Sequence, residues 1–249
     1  RVSHQFQLCT ELRIPYYKIK QVIAKNDIFA IFLGDNSIYY KSKELDLVQI
    51  RPPHQLINIQ VQNNCIYGLS STGHLFKIDI KSESEKEYTL YHFSKFSVAS
   101  TFLVGISVDK SNECILYKLN KKDSKVIIDD AIAIGCTDSF IFVSTDKDSS
   151  LYIYDVNNDS LVKMNIDERI ISITCSDDLA IFISDIGNVY QYSTEDSTSE
   201  PVRIFGLPPI VDVSAGPQHC AAISYDGRLF AWGFNPSCQL GTKSDRPSR

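Results

Sequence analysis

The sequence has little glycine, one methionine and one tryptophan, and it lacks a long apolar run. Its 249 residues include 11 glycines, five of which fall in the last 44 positions. Hydrophobic residues make up 43% and charged residues 22% of the chain; these ordinary values exclude collagen, coiled-coil and disordered chains. No uncharged apolar stretch approaches the ~18 residues of a membrane span, and the first residues lack a signal-peptide pattern. The sequence therefore predicts a globular chain with no membrane partner.

Cysteine pairs and metal-ligand clusters are missing as well. The seven cysteines include no C-x-x-C pair, and their odd number makes a poor disulfide framework. The five histidines do not stand near cysteines at the spacing that zinc requires, so no metal site is predicted. Reduced thiols within apolar runs are typical of cytoplasmic or nuclear proteins. The net charge of -5 argues against a nucleic-acid surface on this segment.

Catalytic motifs are also absent from the sequence. There is no G-x-S-x-G, no H-E-x-x-H and no glycine-rich dinucleotide fingerprint. Residues 241–244 (GTKS) partly match the G-K-S/T end of a phosphate-binding loop, but their Gly and Lys are not adjacent and no helix is predicted after them. We therefore predict no catalytic, cofactor-binding or metal-binding residue, and no enzyme.

What the sequence does have is a repeat of short strand-like runs. Each of six units has an apolar run of five residues or fewer, a polar turn, and an aliphatic residue usually followed by an aromatic one. An alternating strand precedes each apolar run, and a weaker strand fits between units. The aliphatic anchors recur every 36 to 40 residues, at Ile38, Leu75, Ile115, Leu151, Val189 and Leu229.

Four short antiparallel strands in every ~38 residues are typical of a propeller blade. We predict an all-β fold, a β-propeller of four-stranded blades that forms a single domain over residues 1–249. A β-sandwich is the alternative for a multi-strand chain, but it does not account for six equivalent units. The blades are expected near residues 5–41, 46–80, 88–120, 125–154, 161–193 and 202–232.

The last unit carries a more specific pattern. Residues 211–223 (VDVSAGPQHCAAI) lead into residues 224–233 (SYDGRLFAWG), and residues 238–241 read CQLG. This pattern resembles the repeat of the regulator of chromosome condensation family, with S-A-G-x-x-H, D-G-x-hydrophobic-aromatic-x-W-G and G-Q-L-G motifs. The chain departs from it at Cys220 and Cys238. The matching residues are Gly216, His219, Asp226, Gly227, Trp232, Gly233, Gln239, Leu240 and Gly241.

We expect these motif residues to have structural roles. Asp226–Gly227 suits a tight hairpin turn that needs positive φ. Gly216 and Gly233 are expected to allow close backbone approach between blades. We expect His219 to be a core histidine that hydrogen-bonds backbone, and Trp232 to pack between blades with its N–H satisfied locally.

The resemblance also implies a number of blades. The family builds seven, so six visible units imply that this chain lacks one blade of a seven-bladed ring. Residues 233–249 are expected to start a further blade, or to pair with the strand near Gln5–Cys9 and close a smaller ring. The chain opens with Arg1 and its sole methionine is Met164, which we interpret as a fragment of a longer protein.

The favoured function is a non-catalytic platform that binds another protein or a neighbouring domain of a longer chain. Propeller loops converge on two end faces, and the loops Lys118–Lys125 and Ser193–Glu200 are the candidate contacts. The alternative, implied by the resemblance, is a guanine-nucleotide exchange factor whose protein partner is a Ran-like small GTPase. The sequence shows no large insertion for a wedge and no basic tail for DNA. A propeller hydrolase or lyase is a third alternative, for which we find no motif.

Overall fold

The computed structural model describes residues 18–25, 28–43, 46–82, 84–87, 91–109, 111–119, 123–195, 200–236 and 238–241. The chain divides into two compact units, residues 1–93 and residues 94–249. Within the described ranges both units are built from antiparallel sheets, as the sequence predicts. The expected strand near Gln5–Cys9 and residues 242–249 lie outside these ranges, and the single domain over residues 1–249 stays a prediction.

The first unit contains two four-stranded sheets, each an up-and-down meander of consecutive strands. The strands of the first sheet are β1 (Ile19–Lys25), β2 (Ile28–Leu33), β3 (Ile38–Lys41) and β4 (Val48–Ile50). The strands of the second sheet are β5 (Leu56–Gln62), β6 (Cys65–Ser70), β7 (Leu75–Asp79) and β8 (Glu85–Glu87).

Four further sheets follow, the first of them beginning at the boundary between the units. The third sheet has β9 (Phe93–Val98), β10 (Phe102–Ser107), β11 (Cys114–Lys118) and β12 (Asp123–Ile128). The fourth has β13 (Ala131–Cys136), β14 (Phe140–Thr145), β15 (Leu151–Asp155) and β16 (Ser160–Lys163). The fifth has β17 (Ile170–Cys175), β18 (Leu179–Ser184), β19 (Val189–Ser193) and β20 (Val202–Arg203). The sixth has three strands in the described residues, β21 (Ile210–Ala215), β22 (His219–Ser224) and β23 (Leu229–Gly233).

The weak fourth strand belongs to the sheet before it rather than to the unit after it. The predicted blade 161–193 begins on this strand, but β16 pairs with β15 through Ile153↔Val162 and Tyr154↔Leu161. In the described residues, the second, fourth, fifth and sixth sheets start later than the predicted units. The reason is local, because a short hairpin turn such as residues 156–159 returns the chain directly along the strand that it has just left.

Burial follows the order of strands within a sheet. The second strands β6, β10 and β18 are buried over their whole length, whereas the fourth strands β16 and β20 are exposed throughout. A strand that is apolar on both faces needs a neighbour on each face. In the first unit one core lies between the first two sheets. In the second unit, three cores lie between the third and fourth, fourth and fifth, and fifth and sixth sheets.

Three hairpin turns between second and third strands share the pattern Ser-x-x-Gly-x, namely Ser70–His74, Ser184–Asn188 and Ser224–Arg228. Their glycines have φ of +85°, +84° and +81°, a conformation that glycine adopts without a Cβ penalty. The serine Oγ accepts a hydrogen bond from the last residue's N–H, at 3.0, 3.1 and 3.1 Å. A buried hydroxyl thus closes each turn.

Candidate protein-interaction surface

The Asp226–Gly227 turn, expected from the sequence to need positive φ, joins β22 to β23. The Gly227 N–H donates to the Ser224 carbonyl at 2.8 Å. The Ser224 hydroxyl donates to Asp226, and the Arg228 guanidinium also donates to that carboxylate, at 2.7 Å. The hydrogen bond from Ser224, with Arg228 nearby, holds the pKa of Asp226 below its usual range. Three hydrogen bonds therefore hold the shape of this exposed turn.

Gly216 and Gly233 allow close approach inside the sixth sheet, whereas the sequence placed that approach between blades. A Cβ on Gly216 would lie 2.4 Å from Cε1 of the His219 ring. A Cβ on Gly233 would lie 2.4 Å from the carbonyl oxygen of Gln218, and Gly233 has φ of +105°. Both glycines thus make room at the turn between β21 and β22.

Trp232 packs against the apolar cluster between the fifth and sixth sheets. Its indole Nε1 is buried and has no hydrogen-bond partner among the described residues, in contrast to the expectation that this N–H is satisfied locally. His219 is partly buried with its ring over Gly216.

The motif residues after β23 form a compact turn around a buried asparagine. Asn235 is 2% exposed, and its Oδ1 accepts a hydrogen bond from the Leu240 N–H at 2.9 Å. The Gln239 amide donates to the Phe234 carbonyl at 2.5 Å. Gly241 has φ of +74° and donates its N–H to the Cys238 carbonyl at 3.0 Å. These motif residues therefore form the hairpin turn before β23 and the loop after it.

A cluster of exposed apolar side chains lies where the fifth and sixth sheets meet at one end. Ile186 is 62%, Phe205 80% and Tyr225 85% exposed. The three segments that carry them are joined at Pro209, whose carbonyl accepts from the Tyr225 N–H at 2.9 Å and whose Cα would lie 2.8 Å from a Cβ on Gly187. We call Ile186, Phe205 and Tyr225 the end-face cluster.

A hydrogen-bond chain holds the base of this cluster. The Arg203 guanidinium lies 5.3 Å from the centroid of the Phe205 ring and donates to Asn188 Oδ1 at 2.6 Å. The Asn188 amide in turn donates to Glu168 Oε1 at 2.7 Å. The cation over the aromatic ring favours one position of the Phe205 side chain.

Sequence reasoning did not single out the end-face cluster. An apolar residue directly precedes glycine at Ile186–Gly187 and Phe205–Gly206, but the same pairing occurs at buried residues such as Leu33 and Val104. The sequence therefore held no distinctive signal for these exposed positions. Charge and polarity pointed instead to Lys118–Lys125 and Ser193–Glu200.

The Lys118–Lys125 segment borders a cleft between the third and fourth sheets, although its residues 120–122 lie outside the described ranges. The cleft has a volume of about 390 Å³, and Tyr154 and Asp159 line its opposite side. The Lys125 ammonium pairs with Asp159 and donates to the Tyr154 hydroxyl at 3.4 Å. The hydrogen bond from Lys125 holds the pKa of Asp159 below its usual range, and the same bond raises the pKa of Lys125. The charge of Lys125 is therefore already matched within the chain.

The second predicted contact, Ser193–Glu200, is described only at its ends, since residues 196–199 lie outside the described ranges. Glu200 Oε2 accepts a hydrogen bond from the Asn165 N–H at 3.2 Å. The described residues contain no group of three or more His, Cys, Asp or Glu side chains placed to hold a metal ion. No helix in the part of the chain that the structure describes has the length and apolar character needed to cross a lipid bilayer.

Comparisons of sequence relate the chain to a known repeat. A family model described as the Regulator of chromosome condensation (RCC1) repeat matches residues 210–238. The Homo sapiens Probable E3 ubiquitin-protein ligase HERC3 is 39% identical over 59 residues, which are 23% of this chain and 6% of HERC3. The Regulator of chromosome condensation of Xenopus laevis is 45% identical over 47 residues, 19% of this chain and 11% of that protein. The match thus spans a small fraction of the length of these relatives.

Comparison of structures extends over nearly the whole chain. Prp20p from Saccharomyces cerevisiae, which is yeast RCC1, matches with a TM-score of 0.74 and 12% identity. The match covers 93% of this chain and 75% of Prp20p. It confirms the predicted all-β propeller, of which six blades are seen here. Residues 210–238 therefore form a repeat of the regulator of chromosome condensation family, within a propeller of the fold that yeast RCC1 has.

Proposed function

We propose that this chain is a non-catalytic protein-interaction platform of the regulator of chromosome condensation type. The observation that carries the proposal is the end-face cluster, in which Ile186, Phe205 and Tyr225 stand exposed on turns fixed to rigid sheets. Exposed apolar patches on soluble domains mark interaction sites.

The composition of the cluster supports binding to protein rather than to a small molecule. Tyrosine, phenylalanine and arginine are enriched at protein interfaces, and tyrosine and arginine dominate their hot spots. Here Tyr225 and Phe205 supply large apolar surfaces, and Arg203 lies over the Phe205 ring. Ile186 and Tyr225 lie on hairpin turns and Phe205 on the connection between β20 and β21, so all three side chains are accessible to a partner surface.

The comparisons support the same reading. Yeast RCC1 (Prp20) was solved bound to Kap60, and its structure was described together with its binding to Gsp1p and histones. The matched part of HERC3 is a small share of a larger ubiquitin ligase. By analogy, we infer that this chain is one domain of a longer protein of the cytoplasm or nucleus, and that it recognises proteins on behalf of that longer chain.

An affinity experiment tests the platform. The native polypeptide is immobilised as wild type, as the double variant Phe205→Ala/Tyr225→Ala, and as the control Val162→Ala, whose side chain is 54% exposed on β16. We expect proteins retained by the wild type and the control to bind the double variant about tenfold more weakly or worse, since two exposed anchors are lost. Equal binding by all three would show that the end-face cluster does not contact the partner, and would contradict the proposal. Thermal unfolding checks that the variants stay folded.

The alternative function is a guanine-nucleotide exchange factor for a Ran-like small GTPase. The match to Prp20, whose reported binding includes Gsp1p, is what favours it. Release of labelled GDP from a Ran-type GTPase is measured with and without the native polypeptide, at salt that screens weak charge attraction. Acceleration of release would support exchange activity, and an unchanged rate would exclude this alternative.

A further inference from the structure

Carboxylates are concentrated at the end of the second unit that carries the end-face cluster. Two kinds of segment form this end, the turns between second and third strands and the connections from each fourth strand to the next sheet, because the strands of a meander alternate in direction. The segments are residues 108–113, 129–130, 146–150, 164–169, 185–188, 204–209 and 225–228. They contain ten Asp and Glu but only four Lys and Arg, whereas the whole chain has 30 against 25. The excess of negative charge therefore lies mainly at this end.

Two of these carboxylates lie beside the end-face cluster. Asp185 directly precedes Ile186, and the Asp185 N–H donates to the Arg169 carbonyl at 2.9 Å. This bond joins the turn that carries Ile186 to residues 164–169, which include Asp167. Asp167 and Asp185 are both exposed. One partner surface can therefore reach the apolar side chains and both carboxylates.

The arginines at this end already have partners, whereas these two aspartates do not. Arg169 and Arg228 each donate to an aspartate of a turn, at 2.9 and 2.7 Å. Arg203 lies over an aromatic ring of the cluster. Among the described residues, neither Asp167 nor Asp185 forms an ion pair. Their negative charges are thus open to a cationic partner.

The charge of this end disfavours two classes of partner. Nucleic acids and anionic membrane surfaces present phosphate groups, which a negatively charged surface repels. A protein surface that is itself acidic is disfavoured for the same reason, since like charges placed against each other in an interface raise its free energy. The partner that complements both the apolar side chains and the carboxylates is a basic protein surface.

We propose that the end-face cluster binds a basic protein segment in which Lys or Arg side chains flank an apolar residue. This inference rests on the proposed function, because it names the kind of partner that the same cluster takes. The apolar residue of the partner packs against Phe205 and Tyr225, and its cationic side chains pair with Asp167 and Asp185. The apolar contact supplies most of the affinity, and the charges select basic partners and speed association.

Binding to defined peptide sets tests the chemistry of the partner. The native polypeptide is applied to three immobilised sets of short peptides, which combine Leu and Phe with Lys and Arg, Leu and Phe with Asp and Glu, or Ser with Lys and Arg. We expect it to bind the first set at least about tenfold more tightly than either of the others. Equal binding to the first two sets would overturn the role of charge, and equal binding to the first and third would overturn the apolar contact. Absence of binding to all three sets would also overturn the proposal.

Two matched double variants locate the contact on the surface. Asp167→Asn/Asp185→Asn removes two negative charges beside the cluster. The control Asp177→Asn/Asp178→Asn removes two exposed carboxylates from the turn between β17 and β18, at the opposite end of the same sheet. We expect the first variant to bind the Lys/Arg–apolar set about fivefold more weakly at low ionic strength, a difference that shrinks as salt is added. The control should bind like the wild type, and equal binding by the two variants would overturn the proposal.

The outcomes of this inference and of the proposed function can be told apart. If Phe205→Ala/Tyr225→Ala loses the proteins that the wild type retains, but Asp167→Asn/Asp185→Asn keeps them, the platform stands and the basic partner is wrong. If neither variant loses them, both proposals are wrong. Sedimentation over a range of concentrations tests a second copy as the occupant. A dimer that Phe205→Ala/Tyr225→Ala abolishes would assign the cluster to self-association and would overturn the inference.

Discussion

In three of the sheets, the second strand ends with a buried serine that closes the turn after it. Ser70, Ser184 and Ser224 are at most 4% exposed. Each places its Oγ against the N–H of the residue four positions on. Buried donors cost free energy when unpaired, so the hydroxyl makes a five-residue turn compatible with a dry interior. The repeat of this serine was visible in the sequence, but its role depends on burial, which the sequence does not show.

Removing one such hydroxyl should cost more than removing a buried hydroxyl without a partner. Ser184→Ala leaves the Asn188 N–H without its acceptor, and we expect the free energy of unfolding to fall by about 1 kcal/mol. Ser144 is 1% exposed, and its Oγ has no hydrogen-bond partner among the described residues, so Ser144→Ala should be nearly neutral. Urea unfolding of both variants gives the two values. Equal losses would contradict the role assigned to Ser184.

Thiol reactivity is a second prediction at the scale of residues. Burial raises the pKa of Cys220 to about 12 and also strongly raises that of Cys114, so few thiolates form at neutral pH. Cys238 is exposed. We expect alkylation of the native protein to modify Cys238 rapidly, and Cys114 and Cys220 only after addition of denaturant. Peptide mass spectrometry after timed alkylation measures this, and early modification of Cys114 would contradict its burial.

At the scale of elements, the second and fifth sheets are each locked to the next strand through a turn glycine, Gly73 and Gly187. The hydrogen bond from Ile210 to Gly187 and the contact of Pro209 with that glycine leave no space for a side chain. Two packed apolar faces could shift past each other by a residue, because their contacts have no fixed direction. A backbone hydrogen bond to the carbonyl of one turn residue does not allow this shift, so the turn sets the register between the neighbouring sheets.

This locking predicts unequal effects of adding a methyl group at two glycines. Gly187→Ala and Gly206→Ala both force alanine into positive φ, which costs about 1–2 kcal/mol. Gly187→Ala also drives a Cβ to within 2.8 Å of Ile210 and Pro209, which adds about 1–3 kcal/mol of overpacking. Denaturant unfolding should therefore show the larger loss of stability at Gly187. A larger loss at Gly206 would contradict the locking.

At the scale of the whole molecule, aspartates in turns of both units share a lowered pKa. Asp35 and Asp79 in the first unit, and Asp148, Asp155, Asp159 and Asp226 in the second, have pKa values below the usual range. Hydrogen bonds from turn residues are the main cause in most of them, for example from Ser37 to Asp35 and from Thr145 and Tyr152 to Asp148. The folded turns therefore favour the ionised form of these aspartates.

Acid should therefore destabilise the protein in a defined window. When the folded pKa lies below the unfolded value, the unfolded chain binds more protons between the two values. The stabilisation is present above the unfolded pKa, near 4, and is lost as pH falls through the folded pKa. We expect the urea midpoint to be steady from pH 7 to 5 and to decrease below pH 4. In Asp148→Asn the decrease should be smaller, and a midpoint that rises on acidification would contradict the sign.

The sequence alone was enough to predict the strands, the repeat and the positive φ of Gly227. These features are local, since strand periodicity and turn conformation depend on residues a few positions apart. The pairing of β16 with β15 and the end-face cluster were not predicted. Both depend on which elements become neighbours, as when Pro209 brings the segments of Phe205 and Tyr225 together.

The difference between what the sequence and what the tertiary structure determine is clearest at three equivalent residues, Leu75, Val189 and Leu229. In the sequence they are equivalent, each an aliphatic residue that directly follows a turn and opens a third strand. In the structure two are at most 1% exposed and the third is 72% exposed. The amino-acid sequence determined the six sheets, because each sheet is set by its own hairpins. Only the tertiary structure decided which faces are covered, because burial of a flank depends on the sheet that packs against it.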